Sequence, residues 1–96
     1  MKSRVYIVIY GIVQGVGYRY STYRKALQLG ITGWVHNKND GSVEAVFEGS
    51  REKIDEMLSW CRKGPSGAYV SKIDVQWEEG DEKYNNFEIR YKYKKD

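Results

Sequence analysis

The sequence predicts an α+β sandwich in which an antiparallel sheet carries two helices on one face. Strand-like and helix-like segments alternate along the 96 residues, and an Asp-Gly turn joins two strand-like segments near the middle. Their order, β-α-β-β-α-β followed by an additional C-terminal strand, is that of two split β-α-β halves, the ferredoxin-like arrangement. No linker, repeat or low-complexity segment divides the chain, so we expect one domain over residues 1–96.

Five segments are predicted strands because β-branched and aromatic residues alternate with polar ones or form short apolar runs. In chain order they cover residues 4–10, 31–37, 42–48, 69–77 and 87–93. The first is an apolar run typical of a central strand, with Val5, Ile7 and Ile9 on one face. In the third, Glu44 and Glu48 are expected on the outward face.

Two segments with helical periodicity are predicted at residues 18–29 and 50–62. The first is bounded by Gly30 and the second by Gly64 and Pro65, residues that end helices. The inward residues are expected to be Tyr20, Tyr23, Ala26 and Leu27 in the first helix, and Ile54, Met57, Leu58 and Cys61 in the second.

The composition excludes several classes of protein. A hydrophobic content of 41% and an aromatic content of 15% argue against disorder, and the longest apolar run, residues 5–10, is far too short to cross a membrane. The single cysteine, Cys61, rules out an intrachain disulfide and a four-cysteine zinc site. No signal peptide is recognisable, so we expect a cytoplasmic protein.

Charge is distributed unevenly along the chain. Residues 1–39 contain six basic and no acidic residues, whereas residues 40–96 contain ten basic and thirteen acidic ones. The positive excess in the first part suggests an anionic partner, although a chance clustering of solvated charges explains the pattern equally well.

The predicted first helix starts without the residues that usually cap one. Ser50 and Glu52 provide a cap and a favourable charge for the second helix, but the first follows Gly15 and Gly17 and carries Arg19 in its first turn. The amides at a helix start have no partner within the helix, so a glycine loop can direct them at an anion, with Arg19 closing over a phosphate. The alternative is an ordinary glycine-rich turn whose amides are hydrated.

Two longer motifs give this loop a specific interpretation. GIVQGVGYR at residues 11–19 closely resembles the acylphosphatase signature, and GWVHN at residues 33–37, followed by Asp40-Gly41, is similar to its second half. The resemblance runs from about residue 4 to residue 91 and implies the same ferredoxin-like fold. It also implies hydrolysis of the carboxyl-phosphate bond of small acyl phosphates without a metal or cofactor, with inorganic phosphate as product and competitive inhibitor.

The resemblance further implies roles for particular residues. Arg19 would bind the phosphate, and Asn37 would position the attacking water. The remaining phosphate oxygens would be held by the backbone amides of Gln14, Gly15, Val16, Gly17 and Tyr18. An acyl phosphate is already activated by its weakly basic leaving group, so placement and charge stabilisation suffice. We expect a monomer with no membrane or nucleic-acid partner.

Four positions depart from the family pattern. Ile12 stands where many relatives have arginine or lysine, Tyr18 where they have phenylalanine, and Ser66 where a second proline is frequent. Lys38 replaces a threonine that would help to orient Asn37, which leaves open what holds this asparagine.

A non-catalytic module is the competing interpretation. Tyr6 and Tyr10 project from the first strand opposite its aliphatic side, and an open sheet face can stack RNA bases on such rings. The third strand lacks the RNP1 pattern, however, and its outward glutamates would repel phosphates. An anion sensor, or one domain of a larger maturation protein, is a third possibility.

Reactive side chains elsewhere have simpler expected positions. His36, the only histidine, points away from Asn37 and suits a surface or packing role. Cys61 belongs to the apolar stripe of the second helix, and Ser21 and Thr22 are expected on the surface of the first.

Overall fold

The computed structural model describes residues 2–91 and contains the predicted elements in the predicted order. They are β1 (Lys2–Ile12), α1 (Tyr18–Leu29), β2 (Thr32–Asn37), β3 (Val43–Ser50), α2 (Arg51–Lys63), β4 (Tyr69–Glu78) and β5 (Phe87–Arg90). The ferredoxin-like α+β class is therefore confirmed. β1 is longer than expected at both ends, and residues 92 and 93 of the predicted fifth strand lie outside the described residues.

The strands form one sheet in the order β4-β1-β3-β2-β5. The four strands of the ferredoxin-like unit pair antiparallel, as expected, but the additional strand β5 pairs parallel with β2. This departure from a wholly antiparallel sheet follows from the connection between β4 and β5. These strands occupy opposite edges, so residues 79–86 cross one end of the sheet and β5 returns in the direction of β2.

One face of the sheet supplies the core, and both helices cover it. Ile7 pairs with Ala45 and Val75, and Val35 pairs with Ala45 and Ile89, so a row of apolar side chains crosses all the strands. A valine or isoleucine side chain contributes roughly 1.5–3 kcal/mol when fully buried. Against this face α2 buries the stripe predicted for it, Ile54, Met57, Leu58 and Cys61.

Helix α1 packs through a different stripe from the predicted one. Its buried residues are Tyr18, Thr22 and Ala26, at i, i+4 and i+8, while Tyr20 and Leu27 are 57% and 53% exposed. The inward positions expected for Tyr20 and Leu27 were therefore wrong, as was the surface position expected for Thr22. The buried stripe accommodates a threonine because its hydroxyl donates to the Tyr18 carbonyl oxygen at 2.7 Å.

Glu48 is buried, which corrects the exposed position expected for it. Its carboxylate is 2% exposed and accepts hydrogen bonds from Arg4 at 3.0 Å and from the backbone amides of Lys83 and Tyr84 at 3.1 and 3.0 Å. It does lie on the face opposite the helices, but the connection between β4 and β5 folds over it. The buried charge is tolerated because it is both paired and hydrogen-bonded.

Candidate active site

The carboxyl ends of two strands and the start of α1 meet at one end of the sheet. β1 and β2 are both antiparallel to β3, which lies between them, so both strands terminate at the same end of the sheet. β1 continues through residues 13–17, here called the loop, into α1, and β2 ends at Asn37. Asn37 pairs with Val43, which pairs with Ile9, so the Asn37 side chain lies on the helix-covered face.

A pocket of about 190 Å³ opens at this end of the sheet. Arg19 and Asn37, from the two sequence motifs, both line it although β3 lies between β1, which leads to α1, and β2. Four of the five residues predicted to hold phosphate through their amides also line it: Gln14, Gly15, Gly17 and Tyr18. The fifth, Val16, packs against the hydrophobic core. Four further lining residues were missed by sequence reasoning: Val13, Tyr20, Ile89 and Tyr91.

The start of α1 lacks a cap, as its sequence predicts. Gly17 precedes the helix with a φ of 77°, no side chain accepts from the first turn, and that turn contains no acidic residue. Gly15 has a φ of 76°, another left-handed value that glycine adopts without strain. Ser21 donates its amide to the Gly17 carbonyl oxygen at 3.0 Å, but within residues 2–91 the amides of residues 15–20 have no acceptor. These amides are left for an external partner.

Arg19 forms no ion pair with any carboxylate in the described part of the chain. Its guanidinium Cζ lies 5.0 Å from the centroid of the Tyr91 ring, in a cation–π contact. Because no carboxylate pairs with it among residues 2–91, its N–H donors are available to an anion.

Asn37 is held through the backbone beside it. Its Oδ1 is buried and accepts no hydrogen bond from a described residue. The side-chain amide of Gln14 donates to the carbonyl oxygens of Lys38 and Ser42, at 2.8 Å each, and so fastens the loop to the turn that follows Asn37. This double contact, rather than a threonine at position 38, fixes the backbone next to Asn37. It also commits the Gln14 side chain, so that only its backbone remains for a ligand.

The side chain of Tyr18 is committed to the core. It is 1% exposed, and its hydroxyl donates to the Cys61 carbonyl oxygen at 2.6 Å. Burial raises the pKa of this phenol, so it stays neutral. Cys61 is itself fully buried, which raises the pKa of its thiol to about 12. The packing role predicted for Cys61 is thus confirmed, and its thiolate does not form near neutral pH.

The uncovered face of the sheet does not favour RNA binding. Tyr6 donates its hydroxyl to Glu44 at 2.7 Å, and Glu44 also contacts His36 Nδ1 at 2.9 Å. Lys72 Nζ lies over the Tyr10 ring, 4.8 Å from its centroid. The lysine thus occupies the ring face on which an RNA base would stack. A carboxylate on this face repels a phosphate backbone. His36 is half-buried on this face beside Glu44, in line with the surface or packing role predicted for it.

Functional features other than this pocket would be a second groove, a metal-ligand cluster or a membrane-spanning helix. A larger groove of about 730 Å³ runs along α1, but neither Arg19 nor Asn37 lines it. Within residues 2–91, no group of three or more histidine, cysteine, aspartate or glutamate side chains is placed to hold a metal ion. No helix in the described part of the chain is long and apolar enough to cross a membrane.

Comparison with known proteins identifies the family. The family model for acylphosphatase matches residues 5–89. An acylphosphatase of Trichormus variabilis is 52% identical over 87 residues, which cover 91% of this chain and 85% of that protein. One of Pelotomaculum thermopropionicum is 42% identical over 90 residues, covering 94% and 98%. The crystal structure of acylphosphatase from Bacillus subtilis matches with a TM-score of 0.90 at 32% identity, covering 95% of this chain and 100% of that one. The chain therefore belongs to the acylphosphatase family, whose members hydrolyse acyl phosphates.

Proposed function

We propose that the pocket at the start of α1 hydrolyses small acyl phosphates, with Arg19 and the loop amides holding the phosphoryl group and Asn37 placing the water. One observation carries this proposal: an uncapped helix start, an arginine without a described carboxylate partner and a buried amide oxygen without a donor converge in one pocket. Each feature is unfavourable in the protein alone, and a bound phosphate with its water relieves all three.

The phosphoryl group would be held by preorganised donors. The helix start carries a partial positive charge, and Arg19 adds a full one, which suits a group whose transferring charge spreads over its equatorial oxygens. Two parallel N–H···O bonds from Arg19 would fix the orientation of the group. Gln14, Gly15 and Gly17 lie in the folded loop and Tyr18 begins α1, so their amides would stabilise the developing charge without reorganising.

Asn37 would accept a hydrogen bond from the attacking water at Oδ1. The water oxygen bonds to phosphorus while the bond from phosphorus to the acyl oxygen breaks, and the carboxylate leaves with the electron pair. A proton passes from the water to a phosphoryl oxygen, so the products are a carboxylate and dihydrogen phosphate. The carboxylate is a weak base that needs no acid to protonate it, which is consistent with a pocket whose described lining contains no histidine, aspartate or glutamate.

The proposal is tested by mixing the protein with acetyl phosphate and, separately, with benzoyl phosphate in the presence of a metal chelator. We expect hydrolysis of both, inhibited competitively by inorganic phosphate, because the same donors hold substrate and product. No turnover above the buffer rate, together with no phosphate binding, would contradict the proposal. Salt-sensitive binding of single-stranded RNA without turnover would support the module instead.

A further inference from the structure

One side of the pocket is lined by Tyr91, which belongs to neither sequence motif. Tyr91 lies immediately after β5, and its ring centroid is 5.0 Å from Arg19 Cζ in the pocket that Asn37 also lines. We propose that Tyr91 is a positioning residue that holds the Arg19 guanidinium in its phosphate-binding orientation. This inference rests on the proposed role of Arg19.

The parallel pairing of β5 with β2 explains how Tyr91 reaches the pocket. Ile89 pairs with Val35, whose side chain is buried beneath the helices. Side chains alternate along a strand, so the series continues to Tyr91 on the same face, at the level of Asn37. The strand β5, which lies outside the ferredoxin-like unit, therefore brings an aromatic ring to the end of the sheet where the motif residues meet.

A ring is suited to hold an arginine that must bind an anion. An unrestrained arginine loses considerable side-chain entropy when it is ordered on a ligand. No carboxylate holds Arg19 among residues 2–91, so its contact with Tyr91 is the interaction that restricts it. A carboxylate would hold it more strongly but would occupy the same N–H donors. The ring attracts the cation but has no carboxylate oxygens to take up its N–H donors, which can therefore form two bonds to phosphate.

The exposure of Tyr91 makes the inference testable by substitution. Tyr91 is 68% exposed, so replacing it removes little buried area and should not unfold the protein. Tyr69 on β4 is similarly exposed, at 63%, and does not line the pocket, which makes it a matched control. Tyr91→Leu keeps apolar bulk without a π system, and Tyr91→Phe keeps the ring without the hydroxyl.

The experiment measures inorganic phosphate binding by calorimetry, and kcat/KM with acetyl and benzoyl phosphate, for the wild type, Tyr91→Leu, Tyr91→Phe and Tyr69→Leu. A cation–π contact at an exposed site corresponds to roughly a 2- to 5-fold change in an equilibrium constant. We expect Tyr91→Leu to weaken phosphate binding and lower kcat/KM for both substrates by about that factor. Tyr91→Phe and Tyr69→Leu should keep wild-type values, and thermal unfolding should show all variants folded.

Several results would overturn the inference. Unchanged phosphate binding in Tyr91→Leu would do so and leave the proposed function intact, as would a loss confined to benzoyl phosphate, which assigns Tyr91 to the acyl group. An equal loss in Tyr91→Phe would show that the hydroxyl matters rather than the ring. A wild-type protein that binds no phosphate would overturn both the inference and the proposed function.

Discussion

At the scale of single residues, Arg19 and Asn37 stand in positions that disfavour the folded chain without a ligand. Arg19 places a positive charge at the positive end of α1, which costs a few tenths of a kcal/mol or more. The buried Oδ1 of Asn37 has no donor among the described residues, which costs on the order of 1 kcal/mol. Substitutions at these residues should therefore separate activity from stability.

Replacing Arg19 with alanine should lower kcat/KM by at least roughly 10²–10³-fold, because the substitution removes both the positive charge and two phosphate-binding donors. The dissociation constant of inorganic phosphate should rise as well. The free energy of unfolding should not fall, since an unfavourable charge at the helix start is removed. Steady-state kinetics with acetyl phosphate and urea unfolding measure these effects. Arg24→Ala, on the same helix but outside the pocket, has the same net charge, and equal effects of the two substitutions would contradict the role of Arg19.

Asn37→Ala should lower kcat by about 10²-fold while phosphate binding stays close to that of the wild type, because the asparagine acts on the water rather than on the phosphoryl group. The free energy of unfolding should stay within about 1 kcal/mol of the wild type, since a buried unpaired oxygen is removed. Asn39→Ala, at an exposed position in the following turn, is the control. Equal losses in phosphate affinity and turnover in Asn37→Ala would argue against a water-placing role.

At the scale of elements, the loop before α1 and the turn after β2 behave as one unit because Gln14 joins them. The uncapped start of α1 was readable from the sequence, since it depends on which residues lie within one helical turn. The bonds from Gln14 to Lys38 and Ser42 were not, because they join residues 24 and 28 positions apart. The same limit applies to α1, whose buried stripe depends on where the sheet lies against it.

Gln14→Leu should lower kcat about 10-fold, because a loosened turn lets Asn37 leave the position that the water requires. Two hydrogen bonds are lost, so the free energy of unfolding should fall by roughly 1–3 kcal/mol. Kinetics and urea unfolding measure both, with Gln76→Leu on the exposed side of β4 as the control.

A double-mutant cycle tests whether Gln14 acts through Asn37. If it does, Gln14→Leu should cause little further loss of kcat in a protein that already carries Asn37→Ala. Losses that simply multiply would mean that Gln14 acts on another part of the site.

At the scale of the whole molecule, part of the charge that is uneven along the sequence is paired in space. Lys2 pairs with Glu82 at 2.6 Å, and Arg4 pairs with Glu48 at 3.0 Å and Glu78 at 2.9 Å. The basic first part of the chain is therefore not a uniform positive surface, and Arg19 differs from Lys2 and Arg4 in having no such partner within residues 2–91. The Glu48 pair also anchors the connection that leads to β5.

Glu48→Gln should lower the free energy of unfolding at pH 7 by on the order of 3 kcal/mol, because it removes a buried charge on which Arg4 and two backbone amides depend. Urea unfolding measures the change. Asp55→Asn breaks an exposed ion pair with Arg51 and serves as the control, with an expected loss below about 0.5 kcal/mol. Equal losses in the two variants would contradict the structural role of Glu48.

The contribution of Glu48 should also depend on pH. Burial alone would raise the pKa of Glu48, but hydrogen bonds from the Tyr84 amide, the Arg4 guanidinium and the Lys83 amide outweigh it and lower the pKa below its ordinary 4.5. Its stabilisation is therefore present above pH 4.5 and is lost as pH falls through the lower folded value. Urea unfolding at a series of pH values should show the wild type and Glu48→Gln converging in acid, and a difference that does not depend on pH would contradict this assignment.

The sequence by itself determined the order of the elements, the Asp40-Gly41 turn, the uncapped start of α1 and the two motifs that contain Arg19 and Asn37. These features depend on residues a few positions apart, so they are visible in the chain before it folds. Side-chain alternation puts Ile89 and Tyr91 on one face of the fifth strand, but it does not indicate which strand the fifth one pairs with. Only the tertiary structure decided that β5 lies beside β2, that Gln14 reaches the following turn and that Glu48 is buried, because each of these depends on contacts between residues far apart in the chain.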